Sequence, residues 1–544
     1  MKKIQSLALI VIFIGGLLSG CRGGFDHSVT VSPEASPIKN LATAAPTEIN
    51  LSYDTPDWFK NAVLYEVYVR SFADSNGDGI GDLQGVIDKL DYIQSLGVDT
   101  IWLMPIYPSP SVHGYDVTDF EAVNPDYGTL QDLQNLVYET HQRGMHLILD
   151  FVPSHLSSQH PFFQDAYDNP ESKYSDWFVW NNDAHTRYAS FADLKEMPRF
   201  NHYNPEVVDY LSDVALYWLD LDGDGDTTDG VDGFRIDNAT FPPQEFFIAL
   251  RQRIKQANPQ ALMLGETWVN SPSDLNRYFE GQFDALFDFP LYSILEGNRD
   301  SNGDGVVAGK SSPVLLSVLL QDEASRYPPQ SISVRFGNNH DTNRIASEVQ
   351  GNTAREKLLP ALTAALPGVP MIYYGEEIGM FGQKGGPPDY DNYRREPMDW
   401  YAAENGPDHT TWFMPEDRGN QLSDGISVEE EDHDPESLMS HYRKVFSLRN
   451  QLPVLKNGSL DVLDIAIEQT GPWGFVRTLG DEQLLALYNF SDSAQSVTIH
   501  EFPYGASRLS DLLSGQTFPG AQKGVDYQIQ LPPASAYWLV QADQ

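Results

Sequence analysis

The segment HLILDFVPSH, residues 146–155, is a short apolar run that ends in a carboxylate and then in a histidine. Short apolar runs of this kind alternate along the chain with longer amphipathic stretches, for example Leu83–Leu96 and Leu130–Arg143. The other runs are Val63–Phe72, Val98–Ile106, Val231–Ile236, Leu262–Trp268, Phe283–Phe289, Ser333–Phe336 and Val369–Tyr374. Eight strand-like runs with intervening helices predict an α/β fold class, a (β/α)8 TIM barrel.

The remaining length of the chain surrounds that barrel. The gap between the third and fourth runs is too long for one crossover, so we expect an inserted subdomain after strand 3 at residues 156–228. It would separate barrel parts at residues 55–155 and 229–451. At residues 452–544, short strand-like runs alternate with Gly and Pro turns, which predicts a C-terminal antiparallel β domain. A length of 544 residues suits a large barrel with these two additions.

The N-terminal residues have the pattern of an export signal and a linker. Two lysines precede the apolar run Leu7–Leu18, which is too short to span a bilayer but long enough for a signal-peptide core. The following Leu-Ser-Gly-Cys21 resembles a bacterial lipoprotein signal, which implies that residues 1–20 are removed and Cys21 is lipidated. The alternative is an ordinary export signal with a coincidental cysteine. Residues 21–54 are rich in Ser, Pro, Thr and Ala and predict a flexible tether. We therefore expect an extracytoplasmic, membrane-anchored lipoprotein on the cell surface or the periplasmic face.

The charge of the chain excludes several classes of partner. It has 35 Lys plus Arg against 77 Asp plus Glu, a formal net charge of −42. Nucleic-acid binding needs cationic surface, so we expect no nucleic-acid partner. An anionic bilayer would repel this chain, which leaves membrane contact only through a lipid at Cys21. Because Cys21 is the only cysteine, no intrachain disulfide and no cysteine-based metal site can form. We expect a monomer, although the sequence leaves the oligomeric state open.

Polar side chains follow four of the predicted strands at their C-terminal ends, where a barrel of this kind carries its site. They are Asp150 and His155 after strand 3, Arg235 and Asp237 in strand 4, Glu266 after strand 5, and His340 and Asp341 after strand 7. A single Asp after a strand is more often a turn or helix-cap residue. Four carboxylates converging on one barrel face instead suit glycoside hydrolysis, which needs one nucleophile or base and one acid. Like charges held close raise one pKa and keep the acid protonated, while an Arg near the nucleophile holds it ionised.

These four segments resemble the four signature regions of the α-amylase family, retaining barrel enzymes that act on α-glucans. The resemblance implies Asp237 as the nucleophile and Glu266 as the general acid/base. It implies Asp341 as a third carboxylate that grips sugar hydroxyls and the distorted transition state.

The resemblance also assigns the neighbours of these carboxylates. Arg235 would orient the nucleophile, and Asp150 would hold the end of strand 3. His155 and His340 would contact the sugar at subsite −1.

Two further segments resemble family motifs. In His113-Gly-Tyr115-Asp116, Tyr115 matches a residue that stacks on the −1 sugar; its alternative is plain core packing. Residues 395–400, Arg-Glu-Pro-Met-Asp-Trp, resemble a segment of oligo-1,6-glucosidases and trehalose synthases in which the Arg pairs with that Asp. We therefore expect Arg395 to pair with Asp116; the alternative is a solvated arginine.

Other positions depart from the amylase pattern. Ser154 stands where many amylases have the Asn that binds a calcium ion between barrel and insert, which puts that site in doubt. Thr240 and Phe241 stand where many have a Lys-His pair on the leaving-group side, and an aromatic residue there is more like oligo-1,6-glucosidases. Gly265-Glu-Thr-Trp268, by contrast, is closer to the amylase motif. Met197-Pro-Arg-Phe-Asn201 imperfectly resembles the marker of groups intermediate between oligo-1,6-glucosidase-like and neopullulanase-like enzymes, and we expect the chain to lie there.

One loop has the ligand spacing of a calcium site, with oxygen ligands at alternate positions and a Gly for the turn. The ligand positions are Asp74, Asn76, Asp78, Ile80 and Asp82. The loop lacks the last Glu of an EF-hand, but the same segment binds a structural Ca²⁺ in oligo-1,6-glucosidase relatives; the alternative is a polar βα loop. Residues 220–226 and 300–304 are shorter versions of this pattern. Any Ca²⁺ would be structural, because carboxylates supply both the proton and the nucleophile.

The sequence therefore predicts an α-amylase-type hydrolase that cleaves α-1,4-glucosidic bonds in starch and maltooligosaccharides with retention. The alternative is an oligo-1,6-glucosidase, an α-glucosidase or a trehalose-synthase-like transglycosylase on the same site, since residues 425–430 and 434–438 also resemble trehalose synthases. A catalytically dead barrel that only binds glucan is disfavoured, because Asp237, Glu266 and Asp341 are all present.

Overall fold

The computed structural model describes residues 55–297, 303–465 and 471–542. Eight parallel strands close into a barrel in which each strand pairs with the next along the chain and the first pairs with the eighth. The strands are β1 Leu64–Val67, β2 Thr100–Leu103, β3 His146–Phe151, β4 Gly233–Ile236, β5 Leu262–Gly265, β6 Ala285–Phe287, β7 Ile332–Arg335 and β8 Val369–Tyr373. The closed barrel confirms the predicted fold class.

Some of the predicted features lie outside the described residues. These are the signal peptide, Cys21 and the tether, so the lipid anchor stays a prediction of the sequence. Asp300 and Asn302 of the third predicted metal loop also lie outside. Across the described ranges, no helix combines the length and the apolar character needed to cross a membrane.

Helices follow the strands and cover the outside of the barrel. The α-helices are Val69–Phe72, Leu83–Asp88, Leu90–Ser95, Leu130–Gln142, Pro161–Ala166, Pro205–Leu219, Gln244–Ala257, Pro272–Leu275, Phe289–Leu295, Val314–Arg326, Ile345–Glu348, Thr353–Glu356, Leu358–Thr363, Val428–Glu431, Leu438–Gln451 and Pro453–Asn457. The 3-10 helices are Phe59–Asn61, Ser175–Trp177, Phe191–Asp193, Asn276–Tyr278, Glu376–Ile378 and Tyr390–Arg394. The helix after β2 begins at a capping box, because Thr129 accepts from the backbone N–H of Asp132 and the Asp132 carboxylate accepts from that of Thr129.

Three predicted boundaries are wrong. The run Val63–Phe72 is a strand only as far as Val67, and a helix begins at Val69; the end of the run Phe283–Phe289 likewise belongs to a helix. The predicted helix Leu83–Leu96 is two helices that meet at Lys89, whose φ of −105° and ψ of 5° are not helical. In the first two cases the segment is buried on all sides, so its apolar pattern carries no periodicity that separates a strand from a helix.

The pleat of the strands decides which side chains enter the barrel. Leu64 and Ile148 pack inside it, whereas Tyr65 belongs to the layer between strands and helices. Glu66 and Asp150 stand two positions further along the inward faces of β1 and β3, at the C-terminal end of the barrel. Both are buried. The same alternation that places apolar side chains inside the barrel therefore also places carboxylates at its C-terminal end.

The insert between β3 and β4 folds back onto the barrel. Antiparallel bridges join His155 to Arg199 and Phe178 to Phe200. The helix Pro205–Leu219 then returns the chain to β4. The insert thus forms one wall beside the C-terminal ends of β3 and β4.

The C-terminal part of the chain is an antiparallel β domain, as the sequence predicts. Its strands are β9 Ser459–Val462, β10 Pro472–Leu479, β11 Glu482–Asn489, β12 Gln495–Ile499, β13 Ala506–Asp511, β14 Thr517–Ala521, β15 Tyr527–Leu531 and β16 Ser535–Gln541. Six of them form a sheet in the order β14-β13-β16-β11-β10-β9, and β12 pairs with β15. Trp473 donates to the hydroxyl of Ser317, and Tyr488 donates to the carbonyl of Ala361, so the sheet docks on two barrel helices.

Asp232, just before β4, ties three groups together at the other end of the barrel. Its carboxylate lies 2.8 Å from Nε2 of His141 and 2.9 Å from Nδ1 of His146, and it accepts from the backbone N–H of Leu147. The hydrogen bond to Asp232 raises the pKa of His141. Burial alone would raise the pKa of Asp232, but the hydrogen bonds from His141 and His146 hold it below its usual value.

We expect Asp232→Asn to destabilise the fold by about 1–3 kcal/mol, the cost of leaving partly buried donors unpaired. The raised pKa of His141 means that its contribution is complete below about pH 6.5 and is lost as the pH rises through the raised value. The lowered pKa of Asp232 means that its contribution is lost only on acidification below roughly pH 4. The difference in melting temperature between wild type and variant should therefore be larger at pH 5.5 than at pH 9.

The control for this measurement is Asp526→Asn, which breaks the exposed ion pair of Asp526 with His500. It should leave the melting temperature unchanged. Equal destabilisation by Asp232→Asn at both pH values would contradict the assigned contribution of His141.

Candidate active site

Arg235 is the hub of the polar cluster at the C-terminal end of the barrel. Its Nη1 lies 2.9 Å and 3.0 Å from the two carboxylate oxygens of Asp150 and 2.9 Å from Oδ1 of Asp237. Its Nη2 lies 2.6 Å from Oε1 of Glu266. The guanidinium is fully buried and lies over the ring of Trp102. One cation therefore contacts three of the predicted site carboxylates.

The carboxylates of Asp237 and Glu266 face each other across this guanidinium. Burial raises the pKa of Asp237 well above its usual range, and the carboxylates of Glu266 and Asp150 raise it further, while Arg235 lowers it. Glu266 is held by two donors, the backbone N–H of Asn238 at 3.0 Å and the indole N–H of Trp268 at 3.1 Å. The two carboxyl groups thus have different hydrogen-bond partners, but the net rise in the pKa of Asp237 runs against the expectation that Arg235 holds the nucleophile ionised.

Asp341 is the most exposed of the three predicted catalytic carboxylates, with 27% of its side chain accessible. Arg395 donates from Nη2 to Oδ1 of Asp341 at 2.8 Å and from Nε to the carbonyl of His340 at 3.0 Å. The predicted pair of Arg395 with Asp116 is therefore wrong. Oδ1 of Asp116 instead accepts from the hydroxyls of Ser109 and Ser111. Arg395 itself is buried, which excludes the solvated alternative.

Tyr115 and His340 form one face of the site. The Tyr115 hydroxyl lies 2.7 Å from Nε2 of His340 and 3.1 Å from Oδ2 of Asp150. The two rings are nearly parallel, with centroids 5.5 Å apart. Tyr115 is 9% exposed.

His155 lies against the insert. Its Nδ1 is 2.6 Å from the hydroxyl of Ser154, and its ring stacks on Phe191 at 4.8 Å. Burial lowers the pKa of His155 to about 3, so the imidazole is neutral near neutral pH. Its Nε2 is buried and makes no hydrogen bond of good geometry among the described residues, although the nearby backbone of Tyr115 partly opposes the lowering of the pKa. Ser154, the residue that departs from the calcium-binding Asn, holds this ring.

An aromatic wall stands beside the nucleophile. Phe241 is 43% exposed, contacts Phe191 edge to face at 6.1 Å, and carries the guanidinium of Arg199 over its ring at 4.7 Å. Arg199 and Phe191 belong to the insert, so the insert completes the site on the side of Thr240 and Phe241.

The sequence reasoning missed two residues that contact the site. Asn238 has a φ of +47°, and this left-handed turn aims its backbone N–H at Glu266; Asn tolerates that conformation, which was the available signal. Glu66 contacts Nδ1 of His340 from β1. Its inward position follows from the alternation of β1, but a lone Glu in an apolar strand gave no reason to choose it.

The first predicted metal loop is closed by its own backbone. Asp74 accepts from the N–H groups of Gly77 and Gly79, and Asp82 caps the following helix. The carboxylates of Asp74, Asp78 and Asp82 do not all converge within 4.8 Å, whereas those of Asp220, Asp222 and Asp224 do. The second loop has the same closure, because Asp220 accepts from Gly223 and Gly225. The donors of both loops are oxygens, which fits a hard cation such as Ca²⁺.

A closed β/α barrel whose upper end gathers acidic side chains around one buried arginine, with a neutral histidine and an aromatic wall beside them, defines the site of a glycoside hydrolase. Residues 66–458 match the family model described as "Alpha amylase, catalytic domain", and residues 473–538 match that of "Maltogenic Amylase, C-terminal domain". The chain belongs to the α-amylase family, and it is a glycoside hydrolase that acts on α-glucans.

Individual relatives support this assignment. The chain is 33% identical to "Alpha-amylase 3" of Dictyoglomus thermophilum over 81% of this chain and 86% of that protein. It is 31% identical to "Probable oligo-1,6-glucosidase 2" of Bacillus subtilis over 84% and 95%. Among solved structures, the α-amylase of H. orenii superposes with a TM-score of 0.75 at 31% identity and covers 89% of this chain and 100% of its own.

We expect Arg235→Gln to lower kcat/KM at neutral pH by at least about 100-fold, the loss typical of one preorganised charge contact in an active site. Arg235 lowers the pKa of Asp237, so its removal raises that pKa further. The ionised fraction of Asp237 then falls, and the acidic limb of the kcat/KM–pH profile moves to higher pH.

The matched control is Arg251→Gln, which breaks another buried ion pair, that of Arg251 with Asp284. It should lower the melting temperature and leave the pH profile where it is. An unchanged acidic limb in folded Arg235→Gln would show that Arg235 does not set the ionisation of Asp237.

Proposed function

We propose that the protein hydrolyses α-1,4-glucosidic bonds in starch and maltooligosaccharides by a retaining double displacement. The supporting observation is the single guanidinium of Arg235 that contacts both Asp237 and Glu266. Retaining glycosidases hold their two carboxyl groups about 5–5.5 Å apart, whereas inverting ones need about 6.5–9.5 Å to admit a water. Two carboxyl groups on one guanidinium suit the shorter separation.

In the first step Asp237 attacks the anomeric carbon, and Glu266 donates its proton to the departing glycosidic oxygen. The developing Glu266 carboxylate is stabilised by the two N–H donors that already point at it, from Asn238 and Trp268. In the second step Glu266 takes a proton from water, which attacks the glycosyl–Asp237 ester and releases the sugar with its original configuration.

The remaining site residues bind the sugar that reacts. Asp341, held by Arg395, accepts from sugar hydroxyls, and its hydrogen bonds strengthen as the ring distorts. Neutral His155 donates from Nε2. The face of Tyr115 supports the apolar side of the ring.

Cleavage of α-1,4 bonds is favoured by the amylase-like segment Gly265–Trp268 and by the α-amylases among the relatives. One observation favours α-1,6-glucosidase or transglycosylase action instead. Phe241, with Arg199 above its ring, replaces a hydrogen-bonding Lys-His pair on the leaving-group side by an apolar surface. That surface would hold an acceptor sugar without fixing its hydroxyls.

We expect Glu266→Gln to lose at least about 1,000-fold in kcat on maltooligosaccharides, because the leaving oxygen is no longer protonated. An α-maltosyl fluoride needs no proton at its leaving group, so this variant should still release fluoride in a first turnover. Asp237→Asn should release none. Normal cleavage of maltooligosaccharides by Glu266→Gln would refute the assigned acid/base.

The product pattern separates the candidate activities. We expect wild type to release α-configured maltooligosaccharides from amylose, as seen by NMR in the first minutes. Isomaltose should be a poorer substrate than maltotriose, and trehalose should be absent. Glucose from isomaltose as the main activity, or trehalose from maltose, would replace the α-1,4 assignment with the corresponding alternative.

We also propose that Ca²⁺ binds the two Asp-rich loops at residues 74–82 and 220–226 and stabilises the fold. The supporting observations are the oxygen-only donors, the convergence of Asp220, Asp222 and Asp224, and the shared closure of both loops by their first Asp.

We expect a chelator to lower the melting temperature of wild type and added Ca²⁺ to restore it, because a ligand that binds only the folded state stabilises it by mass action. Asp74→Ala should remove part of that response. Asp88→Asn, on the helix that follows the first loop, is the control and should respond like wild type. A melting temperature indifferent to chelator would refute the proposal.

A further inference from the structure

Glu66 is a buried carboxyl group that the reaction described above does not use. It lies on the inward face of β1 and is completely buried. Its Oε1 lies against Nδ1 of His340, and its Oε2 has no hydrogen-bond partner among the described residues. A hydrogen bond between Oε1 of Glu66 and Nδ1 of His340 needs a proton on one of these two atoms.

The contacts of Asp150 and Tyr115 indicate which ring nitrogen of His340 carries its hydrogen. Both oxygens of Asp150 accept from Arg235, so Asp150 is an acceptor, and the Tyr115 hydroxyl donates its single proton to it. In this arrangement the oxygen of Tyr115 accepts at its contact with Nε2 of His340. This arrangement assigns the hydrogen of His340 to Nε2.

A neutral imidazole with its hydrogen on Nε2 has a bare Nδ1 that accepts. Glu66 is the neighbour of Nδ1, so a protonated Glu66 can donate to it. Burial raises the pKa of Glu66 well above its usual range; the guanidinium groups of Arg235 and Arg395 oppose this, and Asp341 and Asp150 reinforce it. A neutral carboxyl also tolerates the unpartnered Oε2 far better than a carboxylate would.

We propose that Glu66 is a positioning residue whose carboxyl group donates to Nδ1 of His340 and so fixes the tautomer that presents N–H from Nε2 to Tyr115. The same Nε2 lies 3.4 Å from Oδ2 of Asp341. From inside the barrel, Glu66 thereby fixes the N–H at Nε2 of His340, which lies between Tyr115 and Asp341. This inference rests on the proposed function of the site.

Loss of the donor would free His340 to take the other tautomer. Nε2 would become an acceptor, and the Tyr115 hydroxyl would have to turn its proton away from Asp150. The contacts at the reacting sugar would then be misaligned. Because these contacts matter most in the distorted transition state, kcat should fall more than KM rises.

The test compares variants at Glu66 on one maltooligosaccharide. Glu66→Met has similar length and no donor, and it should lower kcat about 10- to 100-fold, by analogy with the loss when the partner that orients a metal-ligating histidine is removed. KM should stay within about threefold. Glu66→Gln keeps an N–H that can donate to Nδ1, so its kcat should exceed that of Glu66→Met by at least about tenfold. Glu66→Asp, one methylene shorter, should resemble Glu66→Met, and it decides the matter if the Met variant does not fold.

A double-mutant cycle locates the effect. Tyr115→Phe removes the hydroxyl that His340 contacts, so adding Glu66→Met to it should lower kcat by less than about threefold more. The structural control is Tyr65→Phe, which removes the buried hydrogen bond of the adjacent β1 residue to Glu377. It should lower the melting temperature and leave kcat unchanged.

The outcomes separate this inference from the proposed function. Wild-type kcat in Glu66→Met or Glu66→Asp, with Glu266→Gln inactive, would overturn the positioning role alone. A Glu66→Gln variant as slow as Glu66→Met would overturn the donor. Full additivity with Tyr115→Phe would place the effect outside the His340 contact. An active Glu266→Gln would refute the proposed function whatever Glu66 does.

Discussion

The structure depends on one electrostatic constraint, a guanidinium buried inside the barrel. A buried charge is costly unless it is paired with good geometry. Arg235 is fully buried and is paired with Asp150, Asp237 and Glu266, which come from the ends of β3, β4 and β5. The strands must therefore close in this order and register, since a shift of one residue in any of them would turn its carboxylate out of the barrel. The packing of the barrel and the geometry of the site therefore depend on the same strand order and register.

Much of this could be predicted from the sequence. Eight strand-like runs predicted the barrel, polar residues followed four of them, and the motifs that contain Asp237, Glu266 and Asp341 placed these carboxylates at one end of the barrel. What could not be predicted was the choice of partners. Arg395 pairs with Asp341, whereas Oδ1 of Asp116 accepts from two serine hydroxyls. Such a choice depends on side chains that meet only in the folded chain.

Other misses have different physical causes. The runs at residues 63–72 and 283–289 switch from strand to helix inside a buried segment, where no alternation marks the change. Glu66 follows the inward pattern of β1, but its importance depends on His340, which is 274 positions away. Arg199 gains its place over Phe241 only because the insert folds back onto β3. Each contact joins segments that are distant in sequence, so no local pattern could reveal it.

The central claim is that Asp237, held beside Glu266 by Arg235, forms a covalent bond to the sugar. Mass spectrometry of the Glu266→Gln variant after reaction with α-maltosyl fluoride tests it most directly, because this variant lacks the base that releases the glycosyl group. We predict that the protein gains the mass of one maltosyl unit, and that digestion locates it on the peptide that contains Asp237. A maltosyl unit on another residue, or fluoride release with no adduct, would contradict the account.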